Sequence, residues 1–198
     1  EHTSGGLSET CDAPFTEIQE DDLETLRHAA SFLYSQKKPG PLKVALLGEK
    51  HPNFSCSLAS ILALRGWKSI ILDCNFDQIV SSEDIPGLWH YLSGQTDALK
   101  IRECTDYDFV PSGGTTRHAT ELFTSERFTT LALEYDFVFT LSRAKLSSTE
   151  TLELLKHVDA AIVSITDEPL DQLLPYRQSS RQKEKQNVTF VQYGLGVL

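Results

Sequence analysis

The sequence predicts a doubly wound α/β domain, a mostly parallel sheet with helices on both faces in three layers. Three observations predict it. Short, nearly uninterrupted apolar runs at residues 43–47, 69–72, 137–141 and 161–165 match strands covered on both faces. Between them lie stretches of helical period. Residues 42–73 read as strand, loop, helix, turn and strand, one βαβ crossover unit.

Residues 1–14 are polar, with Gly-Gly and Ser/Thr, and read as a flexible lead or linker that leaves 15–198 as a single domain. Residues 16–34 predict an amphipathic helix, with Ile18, Leu23, Leu26, Ala30, Phe32 and Leu33 recurring near a helical period. The KKPGP run at 37–41 ends it. The first strand is 43–47, its loop 48–54, and the helix 55–65 carries Leu58, Ile61 and Leu62 before exiting at Gly66. The strand 69–72 ends on Asp73.

Residues 76–86 read as loop, 85–93 as a short helix closed by Gly94, and 98–104 as irregular or briefly extended. A short strand at 108–111 runs into Ser112-Gly113-Gly114. Residues 120–133 predict a second crossover helix, capped by Thr120 or an earlier residue. A strand at 137–141, a helix at 148–157 capped by Ser148 or Thr149, and a strand at 161–165 follow. A short helix at 170–176 and a strand at 188–193 complete the order. Ligand chemistry in such a fold belongs at the strand C-termini.

Composition narrows the function classes. The chain has 198 residues, 40% hydrophobic and 23% charged, enough for one ordinary core. A net charge of -10 argues against a nucleic-acid partner held by general basic attraction. The basic run RQSSRQKEK at 177–185 reads as a solvated loop. Cys11, Cys56, Cys74 and Cys104 form no CxxC pair, so reduced structural thiols are expected rather than disulfides or zinc. The histidines lack metal-ligand spacing, and no metal site is expected. No apolar run reaches the length of a membrane span and no signal peptide is evident. The absence of methionine suggests a fragment of a longer polypeptide or a processed chain.

Five segments carry a resemblance. DDLETLR at 21–27, SIILDCNF at 69–76, GLWHYLSG at 87–94, FVPSGGTTRHATELFTSERF at 109–128 and YDFV at 135–138 stand in an order and spacing that resembles the cytoplasmic domain of bacterial tyrosine kinases. These kinases are tied to capsule and exopolysaccharide export, and the resemblance runs from about residue 20 to about 165. It implies a P-loop NTPase fold, also describable as a Rossmann-like three-layer sandwich. The 21–27 segment is similar to the family's intersubunit helix, and 69–76 to its second Walker segment.

Where the family ends its first loop in Gly-x-Gly-Lys-Ser/Thr, this chain has GEKHPNFSCS. Glycines let successive N–H groups turn onto phosphate, and Lys and the hydroxyl serve phosphate and magnesium. Here there is one glycine, Gly48, and Pro52 removes a donor. Lys50 is not followed by Ser or Thr, although Ser55 and Ser57 could supply a hydroxyl. Aligning YDFV places Leu141 at the family's Walker B aspartate, where leucine cannot hold a magnesium-bound water. Asp73 is kept, but its second acid is replaced by Asn75. Asp73 is then either a relic ligand or a strand-end cap, with the cap preferred.

The family phosphorylates a tyrosine cluster in its C-terminal tail, whereas only Tyr176 and Tyr193 follow Pro175 here. In the intersubunit helix Asp21 and Arg27 fit, but Glu24 replaces an expected arginine. The plainer reading of that helix is a solvated face with Glu24 and Arg27 paired.

The resemblance thus implies a catalytically degenerate kinase-like domain that acts by interaction in polysaccharide biosynthesis and export. No catalytic residue and no cofactor are expected. Its vestigial nucleotide-site candidates are Lys50, Ser55, Asp73 and Asn75, and its interface candidates are Asp21, Glu24 and Arg27. The implied partner is a polysaccharide co-polymerase or export protein, with a homo-oligomer as a further option. The implied location is the cytoplasmic face of the bacterial inner membrane, reached only through a tether or partner outside this chain. Two alternatives stay open. One is an active ATP- and Mg2+-dependent autokinase or ATPase with an unconventional phosphate loop. The other is a module for a different small ligand around Gly48–Asn53, Asp73 and Ser112–Gly114.

Overall fold

Two strands of continuous apolar sequence, β1 (Leu42–Leu47) and β5 (Phe137–Ser142), form the centre of the sheet because both faces of each can be buried. The computed structural model describes residues 20–48, 53–76, 86–164 and 189–193. Among the described residues, seven strands run in the order β3-β4-β2-β5-β1-β6-β7. The others are β2 (Ser69–Asp73), β3 (Arg102–Glu103), β4 (Asp108–Val110), β6 (Ala160–Ser164) and β7 (Thr189–Tyr193). Every pairing is parallel except β3 with β4, so a two-residue antiparallel strand closes one edge.

Residues in register across parallel strands share a face. One face carries Leu42, Val44, Leu46, Phe137, Phe139 and Ile71 and packs against α1 (Glu20–Gln36) and α2 (Asn53–Ala63) through Leu26, Leu33, Leu58 and Leu62. The other carries Ala45, Leu47, Ile70, Leu72, Val138 and Val163. It is covered by α3 (Leu88–Leu92), α4 (Ala119–Phe123), α5 (Glu126–Thr130) and α6 (Thr149–Leu155). This is the doubly wound arrangement predicted.

Several local expectations need correction. The helix after β1 begins at Asn53 and ends at Ala63, two residues earlier at each end than its periodicity suggested. Turn bonds from Arg65 N–H to Leu62 O and from Gly66 N–H to Ala63 O unwind its last turn, and Gly66 takes φ +80. The single crossover helix expected over 120–133 is two short helices. Ser125 stands between them in extended backbone, and its side chain accepts from Phe128 N–H as the N-cap of α5. The break swings Phe128 edge-on to Phe123, with ring centroids 5.2 Å apart, and both are buried. The extended piece at 98–104 is β3, shortened to Arg102–Glu103. Ser148 caps α6 by accepting from Thr151 N–H, as anticipated.

The thiol expectation also changes. Cys56 and Cys74 are free, but Cys104 is disulfide-bonded. Cys104 lies in the turn between β3 and β4 rather than inside a core element, and is only half-buried. An edge turn, unlike the centre of a sheet, is within reach of another chain segment. The expected lead at 1–14 and the helix at 170–176 lie outside the described residues.

Candidate functional site

Parallel strands present their C-terminal ends together, and the crossovers after β1 and after β5 lead towards opposite edges of the sheet, so the strand order switches between these two strands, the point where such sheets hold ligands. At that point Gly48 leaves β1 with φ +68, a left-handed turn suited to a residue without Cβ, and its N–H donates to Ser142 O at 3.1 Å. The register then aligns three residues across neighbouring strands. Leu46 of β1 partners Leu141 of β5, and Leu141 partners Asp73 of β2. All three are on the face covered by α1 and α2. Leu141 is half-buried and packs against that apolar cluster, as do Phe54 and Cys56 from the start of α2.

Asp73 is engaged by its own surroundings. Its Oδ1 accepts from Asn75 N–H at 3.1 Å and from Asn75 Nδ2 at 2.7 Å, and the Ser112 N–H also reaches the carboxyl. Asn75 in turn accepts from Arg143 N–H through Oδ1 at 2.6 Å, tying the end of β2 to the end of β5. Burial pushes the Asp73 carboxyl above its ordinary range, against the lowering effect of the Asn75 and Ser112 bonds and the Arg143 charge.

The sign of the resulting pH dependence follows. An unfolded aspartate titrates near about 4. Because the folded value is higher, the native state binds more protons between the two, and stability falls as pH rises through that window. Asp73→Asn cannot ionise, so its melting temperature relative to the parent is expected to improve as pH is raised from about 3 to about 6. Thermal melts across that range check this. A flat difference means that folding leaves the carboxyl unshifted, and one that turns against the variant means that the folded chain favours the carboxylate.

The nominated residues divide clearly. Asp73 and Asn75 are brought together. Ser55 is fully buried in the first turn of α2, and Lys50 lies outside the described residues. Sequence reasoning missed Arg143; its only signal was its place directly after a strand that ends at the site. Ser112 is 1% exposed, and its Oγ has no hydrogen-bond partner among the described residues. Among those residues, no group of three or more His, Cys, Asp or Glu is placed to hold a metal ion.

The interface candidates sit on α1 at three-residue spacing. Glu24 and Arg27 are exposed, whereas Asp21 falls in the helix but its side chain is outside the described set. Glu24 does not form the expected pair with Arg27. Its Oε1 lies 3.9 Å from His28 Nε2, because residues four apart come closer on that face. Among the described residues, no helix is long and apolar enough to cross a membrane.

The segments behind the resemblance meet at the far end of β4. Leu88 N–H donates to Pro111 O at 2.8 Å, Trp89 N–H to Ser112 O at 3.2 Å, and Trp89 Nε1 to Gly113 O at 2.9 Å. The two glycine-bearing segments are thus one packed unit beside Asp73.

Strand order and register define a doubly wound, mostly parallel α/β fold. More particularly, the chain is similar in structure to the kinase domains of bacterial tyrosine kinases. It superposes on the kinase domain of Escherichia coli tyrosine kinase ETK with a TM-score of 0.69 at 16% identity, covering 98% of this chain and 82% of that one. For the VpsO kinase domain the TM-score is 0.67 at 15% identity, covering 92% and 100%. A putative plasmid partition protein from Borrelia burgdorferi B31, bound to AMPPNP, follows at 0.56 and 14% identity, covering 78% and 75%. At these identities the likeness is one of fold. No protein-family model and no curated protein matches the chain.

Proposed function

We propose that the chain is a catalytically degenerate tyrosine kinase-like domain that serves as an interaction and regulatory module in capsular or exopolysaccharide biosynthesis and export. The observation that carries this reading is the register of Leu141 with Asp73. A side chain that would have to hold a magnesium-bound water is a leucine set against apolar neighbours. The residues present do not fit a magnesium–triphosphate pair. Asp73 is held by Asn75 and Ser112, and its burial disfavours the charge that a metal ligand needs.

What remains usable is surface. Glu24 and Arg27 stand exposed on α1, and a glutamate in place of an arginine disfavours the family's homotypic ring while suiting a partner of complementary charge. On this reading the partner is a polysaccharide co-polymerase or export protein at the cytoplasmic face of the inner membrane, and no cofactor is required.

Calorimetric titration with ATP in excess magnesium tests it. No saturable heat is expected at millimolar nucleotide, and no labelled phosphate should appear on the chain's own tyrosines. Micromolar affinity or autophosphorylation would instead establish the active autokinase. A second reading, a different small ligand at the strand C-termini, draws on one observation, the buried Ser112 hydroxyl beside Asp73.

A further inference from the structure

One bond between the two glycine segments makes a demand on a histidine. His90 stands third in α3, and its Nδ1 accepts from Gly87 N–H at 3.1 Å. That is the position where a glutamate or glutamine ordinarily reaches back to the start of a helix. A Cβ on Gly113 would come within 2.9 Å of the same nitrogen, so Nδ1 is enclosed between the two segments. A neutral imidazole can accept there. An imidazolium carries N–H on both ring nitrogens and cannot.

The consequence reaches beyond α3. The start of the helix is tied to the end of β4 by Leu88 N–H to Pro111 O, Trp89 N–H to Ser112 O and Trp89 Nε1 to Gly113 O. Ser112 N–H in turn reaches the Asp73 carboxyl at the end of β2. The 111–114 segment is Pro-Ser-Gly-Gly and brings no titratable side chain. On the helix side stand Tyr91 and, past the turn, Asp97, which Arg127 engages at 3.2 Å. Glu83 and Asp84 precede Gly87 in sequence and lie outside the described residues. The Trp89 ring pulls the other way, since it stacks on His90 at 3.8 Å and an aromatic face attracts a cation. That attraction gives the Nδ1–H no acceptor, whereas protonation sets two N–H donors head to head in a half-buried joint, and the loss prevails.

We propose that His90 is a proton-sensitive latch: its neutral ring holds the 87–94 segment against 111–114, and protonation releases that hold and with it the Ser112 N–H from Asp73. The folded chain then takes up fewer protons at this ring than the unfolded chain. Stability is therefore full above about pH 6.5, the range of an unfolded histidine, and falls as pH drops below it. This trend is opposite in sign to the one set by Asp73 at lower pH, so variants separate the two.

Thermal melts of the full chain from about pH 8 to about pH 5 test it, for the parent, His90→Gln and His90→Ala. Glutamine can accept from Gly87 N–H and does not titrate. The parent is expected to lose about 2–4 °C relative to His90→Gln over that range, the equivalent of one hydrogen bond in a chain of this size. His90→Ala lacks the acceptor at every pH, and its deficit relative to His90→Gln should be constant. In NMR titrations the Gly87 and Ser112 amide resonances should move with the His90 ring in the parent and not in His90→Gln.

A difference between parent and His90→Gln that is flat across the range, or ring protonation that leaves the Gly87 amide unmoved, overturns the proposal. Movement of Gly87 without Ser112 overturns the coupling to Asp73. None of these outcomes depends on whether nucleotide binds.

Discussion

Gly113→Ala is expected to destabilise the domain by about 3 kcal/mol or more, since forced overpacking and a left-handed backbone act together. Gly113 has φ +84, a conformation that costs an L-residue strain. A Cβ there would meet Gly87 backbone nitrogen and Cα, and would come 2.9 Å from His90 Nδ1. None of these can yield cheaply, because Gly87 N–H donates to His90 Nδ1 and His90 stacks on Trp89 with ring centroids 3.8 Å apart. The reciprocal change, Gly87→Ala, would press on Gly113 and bring its Cβ 2.5 Å from Pro111 O.

Denaturant melts measure both effects. A loss below about 1 kcal/mol for Gly113→Ala would mean that the two segments separate freely in solution. Because Ser112 N–H reaches the Asp73 carboxyl, the same variant should also disturb the end of β2.

Phe139→Ala is expected to cost about 3–5 kcal/mol, the range for removing a fully buried aromatic ring. Phe139 is 0% exposed at the middle of β5, in register with Val44 on one side and Ile71 on the other. Its ring stacks on Phe137 at 6.2 Å and 7°. Backbone on both sides is fixed by parallel hydrogen bonding, so the void has little means to collapse. The melting temperature of a chain this size should fall by roughly 6–20 °C. A fall of only a few degrees would place the stabilising core on the other face of the sheet. Leu141, two residues on, shares this face, so the same variant loosens the strand that pairs with Asp73 of β2.

Much of this was legible in the chain itself. Apolar runs such as those at 43–47 and 137–141 announce strands buried on both faces, and Gly66 announces the end of α2. The nominated Asp73 and Asn75 lie two residues apart, so their contact is nearly a local property. The lapses have physical causes. Periodicity over 120–133 is continuous, yet Ser125 satisfies the backbone of Phe128 better as a cap than as a helical residue. Cys104 was read from its neighbours in sequence, whereas a disulfide depends on what approaches the turn from elsewhere. Arg143 carries no motif; its role beside Asn75 exists only because β5 lies next to β2.

Sequence alone settled the alternation of strand and helix, the positions of β1, β2, β5 and β6, and the presence of a leucine, Leu141, towards the end of β5. These are matters of hydrophobic period and residue identity, and both act over a few residues. Tertiary structure decided that Leu141 and Asp73 are in register, and that two glycine segments far apart in the chain press backbone to backbone. Each depends on the order in which strands enter the sheet, which is chosen by the summed burial of both faces and written in no single stretch of residues.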